Sequence, residues 1–196
     1  MKPRRRAMQK TRWFVALVLL KLGFRLRIRS KDRQLLEEKI LPYFVEHAEF
    51  QRILFVGCDW YTYYYNRVFR YKEYTTLEIE PARAQFGAKR HIVDSMSNIA
   101  RHFKPRDLDA IFCNGVFGWG LNDREQVAQA FAGCYASLRS GGVFVFGWDD
   151  IPEGRPFLPH ELSELQQFSP WKFPPLGTNH YRVEPDQHIY DFFRKP

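Results

Sequence analysis

Two apolar, β-rich runs in this chain each end on a residue type able to meet a ligand. Arg52-Ile-Leu-Phe-Val56 stops at Gly57, and Tyr74-Thr-Thr-Leu-Glu-Ile79 carries Glu78, 21 positions later. A glycine lets backbone amides come close to a bound group, and a carboxylate accepts two hydroxyl hydrogen bonds at once. Cys58 and Asp59 follow that glycine directly. Two further runs end the same way: His91-Ile-Val93 at Asp94 and Ser95, and Leu108-Asp-Ala-Ile-Phe-Cys113 at Asn114 and Gly115. Asp149, His180 and His188 are the groups able to take up a proton near strand ends or in the tail. Each has a plainer reading beside it. Glu78 could be a solvated acid, Asp94 the N-cap of a helix after Ser95, Asn114 half of a turn with Gly115, and each histidine a structural or surface residue.

Helices and strands must bring these groups together. Ser30 can cap a helix from Lys31, in which Leu35, Leu36, Ile40 and Phe44 recur at helical spacing and Pro42 kinks or splits the turn. The strand 52–56 follows, then an aromatic segment from Tyr61 to Phe69 reads as a helix, with Trp60 or Tyr61 facing the pocket. Strands at 74–79, 91–93 and 108–113 come next, with Pro81 at a first helical position. Asp123 caps a helix to Leu138, and Ser140-Gly-Gly142 turns the chain into a strand at 143–146. Five strands alternating with helices predict a parallel sheet with right-handed crossovers. Beyond Gly147 the alternation gives way to proline-rich stretches, a short helical segment near Glu161 to Phe168, and a hairpin of 181–184 with 188–193 around Pro185-Asp186. The fold class is therefore α/β, a Rossmann-like doubly wound sheet, mostly parallel, with a C-terminal antiparallel hairpin. Such sheets bind ligands beyond the carboxyl ends of their strands, where strand order reverses, and the distance from Gly57 to Glu78 is close to that of dinucleotide-binding folds.

In this order and spacing the chain resembles the class I S-adenosylmethionine-dependent methyltransferases over roughly residues 50 to 194. Ile-Leu-Phe-Val-Gly57-Cys58-Asp59 is similar to that family's first motif, Leu77-Glu78-Ile-Glu-Pro81 to its second, Ile92-Val-Asp94-Ser95-Met96 to its third and Leu108 to Phe117 to its fourth. Leu138-Arg-Ser-Gly-Gly-Val-Phe-Val145 resembles the turn into its fifth strand, and Tyr190-Asp-Phe-Phe-Arg-Lys195 its closing antiparallel strand. The resemblance implies S-adenosylmethionine as cofactor, held by Gly57, Cys58, Asp59, Glu78, Asp94, Ser95, Asn114 and Gly115. Within it, Glu78 takes the ribose hydroxyls, Asp94 the adenine amino group, and Asn114 lies beside the transferred methyl. The first motif departs from the family. Phe55 stands at its acid position, and Asp59 and Tyr61 at its later glycines. A catalytically inactive methyltransferase-like binding or scaffold protein is accordingly the alternative to methyl transfer. The glycine pattern of nicotinamide oxidoreductases is absent, with Asp59 and Thr62 at its second and third positions.

Charge narrows the partners. The net charge is +8, but residues 1–30 hold ten Lys or Arg and no acid, leaving 20 basic against 22 acidic side chains, a net of −2, in the other 166 residues. A nearly neutral body argues against specific nucleic-acid binding, and a small-molecule acceptor is the residual choice.

 That small molecule is lipid-linked if the N-terminus touches membrane, where Trp13 to Leu20 is an apolar run set among basic residues, too short to span a bilayer. It reads either as a helix lying on an anionic membrane surface or as a helix packed on the domain with its charges solvated. The organisation expected is thus a basic, apolar segment over 1–30 and a single domain over 31–196. The location expected is cytoplasmic, at the inner face of a membrane if the surface contact is made. Cys58, Cys113 and Cys134 have no C-x-x-C and no metal-like spacing with the six histidines, so no metal site is expected and the thiols read as small buried hydrophobes in a reducing compartment.

Overall fold

The computed structural model describes residues 3–196, with side chains from Thr11 onward. Met1 and Lys2, and the side chains of Arg4, Arg5, Arg6 and Lys10, which carry part of the basic segment, lie outside the described residues. Helix α1 (Pro3–Lys21) and an extended stretch to Arg29 lead into α2 (Lys31–Leu35), a widened π turn (Leu36–Ile40) and α3 (Leu41–Glu46). Pro42 has no N–H to give the preceding turn, and the helix is divided around it as the sequence predicts. Ser30 makes no side-chain cap. Asp186, 155 residues beyond Lys31, takes that role instead: its Oδ2 accepts from the amides of Lys31 at 2.7 Å and Asp32 at 3.2 Å.

Strands β1 (Arg52–Val56), β2 (Glu73–Glu78), β3 (Arg90–Val93) and β4 (Leu108–Asn114) alternate with helical pieces, of which α4 (Tyr65–Val68) is one. The continuous helix expected over 61–69 is divided into a 3-10 turn (Trp60–Thr62), started by a capping box between Asp59 and Thr62, and α4. Helix α5 (Arg124–Ser137) is capped by Asp123, whose carboxylate accepts from the Gln126 amide at 2.9 Å. Strand β5 (Leu138–Asp149) begins earlier than its apolar run, with an irregular register opposite β4 and Gly141 at φ +74°. A short helix α6 (Ser163–Gln166) and strands β6 (Ser169–Pro170), β7 (His180–Val183) and β8 (His188–Arg194) complete the chain.

The sheet order is β3-β2-β1-β4-β5-β8-β6, with β7 also paired to β8. Strands β1 to β5 are parallel, and β8 runs antiparallel to β5, β6 and β7. Strand order reverses between β1 and β4, which fixes where a ligand can enter. Period-two alternation divides the core: Leu54, Val56, Ile111 and Phe144 face α5, while Ile53, Phe55, Phe112 and Val145 face α2 and α3. Helix α1 packs on the domain through Trp13, edge-on to Phe86, and through buried Leu20. Its other side leaves Phe14, Val15 and Val18 exposed, and Leu22 is exposed just beyond its end. No helix among the described residues is long and apolar enough to cross a membrane.

Candidate functional site

The carboxyl ends of β1 and β2 and the loops after β3 and β4 meet around a cavity of about 60 Å³, walled by Gly57, Glu78, Asp94, Ser95, Val116 and Leu121 among others. Gly57 has φ +84°, and a Cβ there would lie 2.9 Å from Val116 Cγ2. Only glycine meets both demands without strain. Glu78 is buried, and its two oxygens accept amide protons from Cys58 at 3.0 Å and Glu80 at 2.9 Å. Each carboxylate oxygen keeps a further lone pair, so these bonds aim the group without exhausting it.

Asp94 is held as firmly. Its Oδ1 accepts from Asn98 Nδ2 at 2.8 Å and the Ser95 amide at 2.7 Å, and its Oδ2 lies 2.6 Å from His102 Nε2. The bonds from Asn98 and His102 lead in holding this carboxyl below the usual range. The N-cap of the following 3-10 turn is Ser95, whose Oγ accepts from the Ser97 amide, and not Asp94. Asp94 is thereby left at the cavity wall.

The loop after Gly57 differs from an open glycine turn. Asp59 Oδ1 accepts from the Trp60 amide at 2.7 Å, Thr62 Oγ1 accepts from the Asp59 amide at 3.0 Å, and burial pushes the Asp59 carboxyl up. Arg83 bridges the two acids, with Nε 3.6 Å from Asp59 Oδ2 and Nη1 3.9 Å from Glu78 Oε2. Burial raises the Cys58 thiol to about 12, so it is no nucleophile at neutral pH. Neither Trp60 nor Tyr61 reaches the cavity wall. Tyr61 lies instead beneath the Arg33 guanidinium, 4.6 Å from its ring centre.

Arg33 belongs to a second cluster, on the α2 side of the same strand ends. Its guanidinium donates to Tyr65 Oη at 3.4 Å and lies 3.9 Å from the position a Gly115 Cβ would occupy. Its ion pair with Asp32 is long, at 4.0 Å. Alternation along β4, β5 and β8 brings Asn114, Asp149 and His188 to this side, in contact with one another. Gly115 turns at φ +67° and donates to Gly147 O at 3.1 Å, so Asn114 does end a turn as well. His180 stands apart, on the exposed strand β7, with Nδ1 2.6 Å from Asp191 Oδ1. Sequence reasoning missed Arg33 and Arg83, which sit among many arginines and carry no local signal. Among the described residues no group of three His, Cys, Asp or Glu is placed to hold a metal.

No protein-family model and no curated protein matches the chain by sequence. Solved structures do match. A TehB-like SAM-dependent methyltransferase from Corynebacterium glutamicum superposes with TM-score 0.59 at 17% identity, over 100% of both chains. The N-methyltransferase NodS from Bradyrhizobium japonicum, in complex with S-adenosyl-L-homocysteine, gives TM-score 0.59 at 14% identity over 86% of this chain and 94% of its own. The chain has the class I methyltransferase fold. A probable spermidine synthase from Corynebacterium glutamicum also matches, with TM-score 0.58 and 17% identity over 88% of this chain and 66% of its own. The methyltransferase fold is thus assigned by architecture, while activity has to be argued from the side chains.

Those side chains fit S-adenosylmethionine in its nucleoside half. A buried carboxylate with spare lone pairs ends β2, and a second, part-buried one directly follows β3. The loop after Gly57 is closed by its own capping box and has the Arg33 cation nearby.

Proposed function

We propose that this chain is an S-adenosylmethionine-dependent methyltransferase acting on a small-molecule acceptor. The observation that carries the reading is Glu78: a buried carboxylate, aimed by two backbone amides, at the end of β2 and in the wall of the cavity beside Gly57. Glu78 would hold the ribose hydroxyls and Asp94 the adenine amino group, while Arg33, beside Gly115, would face the carboxylate of the amino-acid part. Bound S-adenosylmethionine supplies a methyl already activated on a sulfonium sulfur. What remains for the protein is to hold an acceptor in line and to exclude water. Asn114, Asp149 and His188, on the opposite side of the strand ends from α5, are the polar groups available for that.

The acceptor is lipid-linked in this reading. Phe14, Val15 and Val18 share one exposed face of α1, Leu22, Phe24 and Ile28 are exposed just beyond its end, and of the bases nearby Lys21 and Arg29 are exposed while Arg25 and Arg27 pair with Glu37. Such a face suits an anionic bilayer surface, where apolar burial and charge attraction add. Calorimetric titration with S-adenosylhomocysteine tests the cofactor assignment. Saturable binding that weakens in Glu78→Gln supports it, and no binding by wild type favours the scaffold alternative, to which the closed Asp59–Thr62 loop points.

A further inference from the structure

Asn114 is 5% exposed, and its Nδ2 has no hydrogen-bond partner among the described residues. Leaving such a group unpaired is costly, so its surroundings must compensate or a ligand must complete it. The other atom of the amide is engaged: Asn114 Oδ1 lies 3.0 Å from His188 Nε2, and His188 Nδ1 lies 2.6 Å from Asp149 Oδ1. Trp119 Nε1 donates to Asp149 Oδ2 at 2.8 Å. Room for this contact exists because β5 has Gly147 there, where a Cβ would lie 1.9 Å from Asn114 Oδ1 and 2.8 Å from His188 Nε2.

The protonation states follow from the partners. Burial would raise the Asp149 carboxyl, but the bonds from His188 and Trp119 and the charge of Arg33 hold it below the usual range. An ionised Asp149 can only accept, so the proton between it and His188 sits on Nδ1. Nε2 then has two states. Protonated, it donates to Asn114 Oδ1 and leaves Nδ2 free. Bare, it accepts from Nδ2, and the amide, turned by half a rotation into nearly the same volume, leaves Oδ1 free. The other groups on this side are Tyr190, whose ring centre is 4.7 Å from that of His188 and whose hydroxyl donates to Asp32 O, and the Arg33 and Asp32 charges on α2.

We propose that Asp149 and His188 are positioning residues that decide which amide atom Asn114 offers to the methyl acceptor, and that the acceptor is a protic nitrogen or oxygen nucleophile. This rests on the methyl-transfer reading. With His188 neutral, the free Oδ1 holds the N–H or O–H of the acceptor, leaving a nucleophile lone pair for the methyl. In the transfer that lone pair forms the bond to the methyl carbon, the carbon–sulfur pair leaves on sulfur, and the nucleophile's proton passes to water. Once His188 is protonated, Asn114 offers N–H instead and no longer holds the acceptor's proton.

The wild-type chain, labelled with ¹⁵N, tests this directly. Long-range histidine spectra at neutral pH are expected to show His188 with Nδ1 protonated and Nε2 bare, with a coupling across the Nδ2–H···Nε2 bond to Asn114 that disappears on acidification. A neutral ring protonated on Nε2 overturns the relay. Phenol and anisole, titrated with S-adenosylhomocysteine present, then probe its role. Phenol is expected to shift the Asn114 side-chain amide and to bind roughly tenfold or more tightly than anisole, since a site built to accept a hydroxyl rejects the analogue without one. S-adenosylhomocysteine that binds while phenol and anisole behave alike overturns this inference and leaves methyl transfer standing. S-adenosylhomocysteine that does not bind removes the methyl-transfer reading, and the role given to Asn114 with it.

Discussion

Exchanging Glu78 for glutamine removes one charge from a buried group and leaves its volume unchanged. The carboxylate accepts from the amides of Cys58 and Glu80, one on each oxygen. Glutamine can serve only one of them with its carbonyl, and its NH₂ faces the other donor. An unsatisfied buried amide costs about 1–3 kcal/mol, so Glu78→Gln should lower unfolding stability by that amount in urea. The ligand effect is separate. Two hydroxyl bonds to a charged acceptor, each about 1.5–3 kcal/mol, become bonds to a partner occupied by its neighbours, and a net loss of about 1–3 kcal/mol corresponds to roughly 5- to 150-fold in affinity. Calorimetry with S-adenosylhomocysteine at neutral pH, on wild type and variant confirmed folded by their urea transitions, measures it. Equal affinity in the two proteins would refute the ribose assignment, since the stability loss alone shows that the exchange was felt.

Gly147→Ala forces a Cβ onto Asn114 Oδ1, and overpacking of this kind should cost about 1–3 kcal/mol in the urea transition while shifting the His188 ring resonances. Asp109, at the start of β4, accepts from the Gln51 and Arg52 amides and from Arg139 Nε. Burial would raise that carboxyl, yet these bonds hold it below the usual range, so its contribution is fully present above the unfolded value of about 4 and is lost as pH falls through the folded one. Asp109→Asn should therefore destabilise at pH 7 and flatten the loss of stability below about pH 4 in urea titrations. Leu22→Glu with Phe14→Glu, the first exposed just beyond α1 and the second on its exposed face, should abolish co-sedimentation with vesicles containing phosphatidylserine, and salt should weaken the wild type; binding unchanged by the pair would remove the membrane reading. All three cysteines are buried and free, and burial raises Cys113 as well as Cys58 to about 12, so a thiol reagent should label them only as fast as the chain opens.

What the sequence made legible was whatever a local pattern encodes. Strands β1 to β4 show as apolar or β-branched runs, α5 shows by its Asp123 cap, and the β7–β8 hairpin by its turn residues, each within a residue or two of the observed bounds. Asp94 and Glu78 were legible as strand-end acids because parallel sheets put such residues on one edge. The loop after Gly57 was not. Whether Asp59 and Thr62 obstruct a glycine turn or cap a helical one depends on where the backbone goes, and a short-range capping box decided it.

The α2 side of the site was illegible for a different reason. Its parts come from positions far apart in the chain: Asp186 caps α2 through Lys31 and Asp32, Tyr190 binds the Asp32 carbonyl, and Arg33, the next residue, is thereby delivered over Tyr61 and beside Gly115. Nothing in the residues 30–35 signals this, since Ser30 looks like an adequate cap by itself. The consequence is mechanical. The hairpin turn that holds α2 also leads into β8, which carries His188, so the Arg33 cation and the His188–Asn114 contact share one connection. A change in the turn at Asp186 would loosen α2 and displace Arg33 without touching Glu78 or Asp94. The side of the cleft that holds Glu78 and Asp94 and the side that holds Arg33 and His188 are therefore supported by different parts of the chain and can fail independently.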